Sequence, residues 1–215
     1  MALDAEKKPC RVLTSNAGHA LLTGIASPER ATRLVKTLLG ENLYCGWGIR
    51  TLGSNEVRYN PMAYHNGSVW PHDNSLIAAG FGRYGYKEEA AMLLTSILNA
   101  SMVMELNRLP ELFCGFHKRP GVEGPTLYPV ACSPQAWSAG AVYMFLNACL
   151  GMSFVDHNKQ IRFSAPYLPE IVDEISLTGL SVGNAKMDLR VYRASKEVRV
   201  EVQSGASDVS VEVDR

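Results

Sequence analysis

Apolar residues Ala31, Leu34, Val35, Leu38 and Leu39 recur at three- and four-residue spacing directly behind Ser27-Pro28-Glu29. A serine cap, a proline at the first helical position and an acid in the first turn are helix-start signals, so this pattern predicts a helix, which Gly40 ends. Two further helices are predicted from Pro71 to Tyr84 and from Tyr86 to about Leu106. Gly85 separates them and makes them antiparallel neighbours, and Ala90, Leu94, Ile97, Ser101 and Met104 mark one face of the second. Asn16 to Ile25 predicts a shorter helix capped by Ser15 or Asn16. Ser133-Pro134 predicts the start of another, without formal charge from Pro134 to Val155. That stretch has about the length of a membrane span. Gln135, Ser138, Asn147 and several glycines and alanines dilute its hydrophobicity, which fits a buried helix that is apolar on all sides.

After Ser153 the period changes to two. Val198-Arg199-Val200-Glu201-Val202 and Val209-Ser210-Val211-Glu212-Val213, with Val191, predict half-buried strands of a small antiparallel sheet. The expected division is a helical part, 1–153, and a β-rich segment, 154–215. Helical hairpins joined alternately by short turns and long loops predict a mainly α fold, part of an α/α toroid whose loops gather at one mouth.

The long connections are where chemistry is expected. Residues 41–70 contain Gly46-Trp47-Gly48-Ile49-Arg50 and lead into Tyr64-His65-Asn66-Gly67-Ser68-Val69-Trp70-Pro71-His72-Asp73-Asn74, a dense run of aromatic and hydrogen-bonding groups. Trp47, Trp70 and Trp137 lie in or beside polar loops, where indoles offer flat faces to the C–H faces of sugars; burial in the core is the competing reading for each. In the loop from Asn107 to Ser133, Leu109-Pro110-Glu111-Leu112 sets an acid between apolar residues. There a carboxylate is partly desolvated, as a general base or acid requires. An ordinary surface glutamate after a proline is the alternative, and Glu123 is the nearest rival.

Charge narrows the partners. Lysine plus arginine equals aspartate plus glutamate, 21 each, so nothing favours nucleic acid or an anionic membrane, and a neutral polyhydroxylic ligand is compatible. The five cysteines form no CxxC pair and the N-terminus is not signal-like, which predicts reduced thiols and a cytoplasmic protein. No Walker loop or HExxH is present, and no cofactor is expected. His72-Asp73 also fits an HD-type metal hydrolase, with His65 as a further ligand. His19, His117 and His157 show no matching spacing, so no metal site is expected.

Several separated motifs, taken together, resemble the C-terminal half of the amylo-α-1,6-glucosidase (glycogen debranching enzyme) catalytic domain. They are Ser15-Asn16-Ala17-Gly18-His19, Gly46 to Leu52, Tyr59-Asn60-Pro61, Tyr64 to Asn74, Leu109 to Leu112, and Cys132-Ser133-Pro134-Gln135-Ala136-Trp137. The resemblance covers about residues 10–150. It implies a partial (α/α)6 toroid and an inverting α-glucosidase with Glu111 as general base. Trp47, Arg50, Tyr64, His65, Trp70, Asp73, Gln135 and Trp137 are expected at the substrate. The family's general acid is an upstream aspartate, so the resemblance also implies a chain that begins after that acid, is inactive alone, and pairs with a missing N-terminal half or with itself through exposed helix faces. A non-catalytic carbohydrate-binding or assembly module is the alternative.

Overall fold

The computed structural model describes residues 3–155, 160–195, 197–205 and 209–214; His157 lies outside them. The Ser27 signal is answered by helix α2, Pro28–Leu38, where Ser27 Oγ accepts the Arg30 amide hydrogen at 3.4 Å. Ahead of it, Ser15–Gly18 form a 3-10 turn that runs into a one-turn helix α1, His19–Leu22. Helices α3, Pro71–Arg83, and α4, Lys87–Ser101, form the expected hairpin, with Gly85 between them at a φ of 84°. Helix α3 is the hub, packed against α1, α4 and α5. It buries Ile77, Ala78 and Phe81, and Gly80 lets it approach α1 so closely that a β-carbon there would lie 2.7 Å from Leu21 Cβ.

Helix α5, Ala136–Leu150, starts two residues later than the proline signal predicts. Ser133-Pro134 is a cis peptide, and Gln135 supplies the cap, its Oε1 accepting the Ala136 amide hydrogen at 3.0 Å. Gly151, left-handed at a φ of 60°, ends the helix. Only one side of α5 is buried, through Ser138, Ala141, Phe145, Ala148 and Cys149; Ala136, Ala139, Gly140, Tyr143 and Met144 form an exposed stripe without charge. None of the helices among the described residues is long and apolar enough to cross a membrane.

The remainder corrects the expected architecture. Strands β1 (Met152–Val155), β2 (Gln160–Ser164) and β6 (Ser210–Asp214) form one three-stranded sheet, in which β2 and β6 run parallel. Strands β3 (Glu174–Val182), β4 (Ala185–Ala194) and β5 (Glu197–Ser204) form a second, antiparallel sheet. The sheets enclose their own core of Ile161, Phe163, Leu168, Val182, Met187, Leu189 and Val191, with Leu150 from α5. Five α-helices beside two three-stranded sheets overturn both the mainly α partial (α/α)6 toroid and the single antiparallel sheet. The long loops join no successive hairpins; α3 and α4 alone among the described helices meet through a tight turn.

Those loops pair instead with one another. Single backbone bridges run Arg50 to Val69, Val69 to Phe113, and Phe113 to Leu127, so four segments lie side by side. Arg50 secures them from beneath. It is fully buried, and its guanidinium donates to the carbonyls of Gly115 (2.6 Å), Glu41 (3.1 Å) and Asn42 (3.1 Å), with the Tyr59 ring centroid 5.6 Å away. From the helix side, Asn74 Oδ1 accepts the Ile49 amide hydrogen at 2.7 Å, and its Nδ2 donates to the carbonyls of Ile49 and Trp70, both at 3.0 Å. Gly115 passes against Gly67, where a β-carbon would fall on the Gly67 carbonyl oxygen. Removing the guanidinium takes the arginine donor from the Glu41 and Asn42 carbonyls and leaves that of Gly115 with the Tyr59 hydroxyl alone, at 3.1 Å, and a buried group left unpaired costs about 1–3 kcal/mol. Arg50→Met in the 215-residue chain is therefore expected to lower the urea-unfolding midpoint strongly, and Arg50→Lys by less, since an ammonium cannot span the same acceptors. A wild-type midpoint for Arg50→Met refutes the staple.

Candidate functional site

The paired loops present an aromatic wall at the N-terminal end of α3. Trp70, 7% exposed, donates from Nε1 to Ser68 Oγ (2.9 Å) and to the Tyr64 carbonyl (3.2 Å). Around it stand the edge-on rings of Tyr64 (4.9 Å), His72 (5.6 Å) and Trp137 (6.2 Å), and the parallel ring of His65 (5.9 Å). Tyr128 meets Tyr64 at 5.7 Å, and His72 stacks on Trp137 at 3.7 Å. Such ring pairs contribute about 0.5–1.5 kcal/mol each beyond area burial, so the wall is organised without a ligand.

Glu111 sits on this wall. Buried Leu109, Leu112 and Phe113 anchor its segment, and its amide donates to the Cys132 carbonyl at 2.8 Å. The half-buried carboxylate accepts the Tyr64 phenol proton at Oε1, 2.7 Å away, while Oε2 has no hydrogen bond from the described residues. That bond to the carboxylate pushes the Tyr64 phenol up to about 12, so it remains a neutral donor.

Beside the wall, His19 Nε2 and Asp73 Oδ1 lie 2.7 Å apart. The hydrogen bond to the Asp73 carboxylate raises the His19 pKa against the opposing effect of burial. His72 goes the other way: burial lowers it, which keeps the stacked ring neutral, and the nearby Asp73 and Glu111 charges only moderate that. Asp73 Oδ2 and His72 Nδ1 are buried without a hydrogen-bond partner.

Of the residues expected at the substrate, Tyr64, His65, Trp70 and Trp137 assemble around Glu111. Asp73, 8% exposed, is bound to His19, and Gln135 caps α5. Trp47 and Arg50 lie inside, 2% and 0% exposed, with the Lys118 ammonium 4.4 Å over the Trp47 ring. His19 and Tyr128 were not singled out, although the Ser15 to His19 motif held the signal for the first. Cavities of about 450 Å³, beside Tyr44, Asn99 and Tyr167, and about 600 Å³, beside Lys87 and Arg193, include neither Glu111 nor Trp70. Among the described residues, no group of three or more His, Cys, Asp or Glu is placed to hold a metal ion.

The two histidines make opposite predictions. In an NMR titration His19 is expected to protonate above 6.5 and His72 below it, and Asp73→Asn removes the upward effect on His19, leaving burial to lower it. The stability from the His19 bond is then complete below 6.5 and is lost as pH rises through the higher folded value; that from neutral His72 is complete above 6.5 and is lost as pH falls to its lower one. Equal midpoints for the two rings refute the assignment.

The sequence profile of the mannosylglycerate hydrolase MGH1-like glycoside hydrolase domain matches residues 1–115. No curated protein matches the chain. Among solved structures, an uncharacterized conserved protein from Thermus thermophilus is 23% identical over 64% of this chain and 31% of its own, with a TM-score of 0.51. The GH63 mannosylglycerate hydrolase from the same organism is 22% identical in its Tris complex, over 65% of this chain and 31% of that one, with a TM-score of 0.51. Its glucose complex gives 22% identity, 64% and 30% coverage, and a TM-score of 0.50. At this identity the likeness is one of fold, and the chain spans under a third of the length of these structures. The profile match corrects the resemblance to amylo-α-1,6-glucosidases. Over more than half its length this chain belongs to the MGH1-like glycoside hydrolase domain family.

Proposed function

We propose that the chain supplies the water-activating carboxylate and part of the sugar-facing wall of an inverting α-glycosidase. The observation that carries this reading is Glu111, half-buried among aromatic faces with one oxygen held by Tyr64 and the other without a partner among the described residues. In the reaction Oε2 takes a proton from water, whose oxygen bonds to the anomeric carbon. The bond from that carbon to the leaving oxygen breaks, and the leaving oxygen takes a proton from a second carboxyl group. Inversion leaves room for the water when the two carboxyl groups are roughly 6.5–9.5 Å apart. Trp137, 48% exposed, and the His72 ring stacked on it offer flat surfaces to a sugar, and exposed His65 offers hydroxyl contacts. Trp47 and Arg50 belong to the fold, their side chains being enclosed.

Asp73 is bound to His19, so the second carboxyl group is assigned to a segment that packs on the uncharged stripe of α5, either from the same protein or from another chain. Tyr143, 76% exposed, and Met144, 37% exposed, are the apolar surface that such packing would cover. The relatives' name makes mannosylglycerate one candidate substrate, and an α-1,6-branched glucan is the other. A carbohydrate-binding module without turnover is the second reading, favoured by the single free carboxylate on the wall.

Hydrolysis of both substrates by the protein at its full natural length separates these readings. Glu111→Gln is expected to lower kcat about 10²–10⁴-fold, the usual contribution of a positioned base. Near-normal turnover in that variant sinks the base assignment, and calorimetric binding without product identifies a binding module.

A further inference from the structure

We infer that Tyr64 is a positioning residue for Glu111: its phenol fixes one carboxylate oxygen so that the other alone faces the substrate. The inference deepens the base assignment above and rests on it. A glutamate side chain has three rotatable bonds, and a base that wanders loses most of the advantage of proximity. The Tyr64 bond, 2.7 Å long and reaching across 47 residues of sequence, is the one side-chain hydrogen bond to this carboxylate from the described residues.

The donor is itself held from several directions. Its ring lies 4.6 Å from His65, 4.9 Å from Trp70 and 5.7 Å from Tyr128, all edge-on. Its backbone carbonyl accepts from Ser68 Oγ at 2.7 Å and from Trp70 Nε1 at 3.2 Å. The acceptor's backbone is fixed separately, by the bond from the Glu111 amide to Cys132. Two independently anchored loops therefore meet at a single phenol–carboxylate contact. A tyrosine serving only as a stacking surface has no need to aim its hydroxyl at the acid. A tyrosine serving to donate to a sugar hydroxyl has already spent its single proton. Held near 12, the phenol keeps that proton at any pH at which a glycosidase works.

Two measurements decide it. In the 215-residue chain with ¹³Cζ-labelled tyrosine, Tyr64 is expected to titrate near 12 and to return toward 10 in Glu111→Gln; a wild-type midpoint at 10 overturns the inference without recourse to turnover. In the protein at its full natural length, Tyr64→Phe keeps the ring in its clamp and is expected to lower kcat about 10- to 100-fold, with KM changed by less than about two-fold. The Tyr64→Phe/Glu111→Gln double variant is expected to be no slower than Glu111→Gln, because Tyr64 acts through that carboxylate. Unchanged kcat in Tyr64→Phe, a raised KM alone, or additive losses overturn the positioning role while leaving the base assignment intact. Normal turnover in Glu111→Gln instead overturns the base assignment and the role with it.

Discussion

A fully buried arginine with no carboxylate partner among the described residues is the constraint on which the loop structure depends. Placing a guanidinium out of water costs several kcal/mol unless its protons are used, and Arg50 uses those of Nε and Nη1 on backbone carbonyls from residues 41, 42 and 115, while Nη2 is buried without a partner among the described residues. Hydrogen bonds from a charged donor contribute about 1.5–3 kcal/mol each, enough to offset that cost only if all three carbonyls hold their places. The arginine and the loops therefore specify each other. Asn74 repeats the device from the first turn of α3, using one amide to satisfy both backbone groups of Ile49.

This fixes the wall at one end of the hub helix. Val69 and Phe113 exchange both backbone hydrogen bonds, at 2.9 and 3.0 Å, so Trp70 and Glu111 follow from adjacent paired segments. A site built on loops is ordinarily the mobile part of an enzyme. Here backbone bridges below and ring contacts above leave little freedom, and the two faces of the same loops divide the work. Their inward residues, Ile49, Arg50, Val69 and Phe113, are buried at 0% exposure, while their outward ones carry the chemistry.

The helices were legible in the sequence because their signals are local, and the place of Glu111 beside the Tyr64 loop follows from the motifs that flank it. Ser27-Pro28, Pro71 and Gly85 act within one turn, and Glu111 stands out between apolar neighbours in a segment with no helical period. The sheets were not legible in the same way. The alternation in β5 and β6 marks strands but says nothing of partners, and β6 crosses the chain to pair in parallel with β2. The polar loops misled for a related reason. Arg50 and Trp47 have the side chains of a sugar site, and what removes them from the surface is pairing with residues 41, 42, 115 and 118, too distant for any window along the sequence.

The two acids at the N-terminal end of α3 show how the environment divides similar groups. Asp73 lies in the first turn of that helix, where its dipole favours negative charge, and one oxygen is taken by a histidine that this contact makes more basic. That oxygen serves as the partner of the imidazole and is not open to a ligand. Glu111 is met by a neutral phenol, which orients the carboxylate without neutralising it and leaves its second oxygen open. Of the two, only Glu111 combines access with an unspent lone pair, and the proposed role as general base rests on that difference. Under the proposed mechanism the complementary proton donor belongs to another segment, because the Asp73 carboxylate is already engaged by His19.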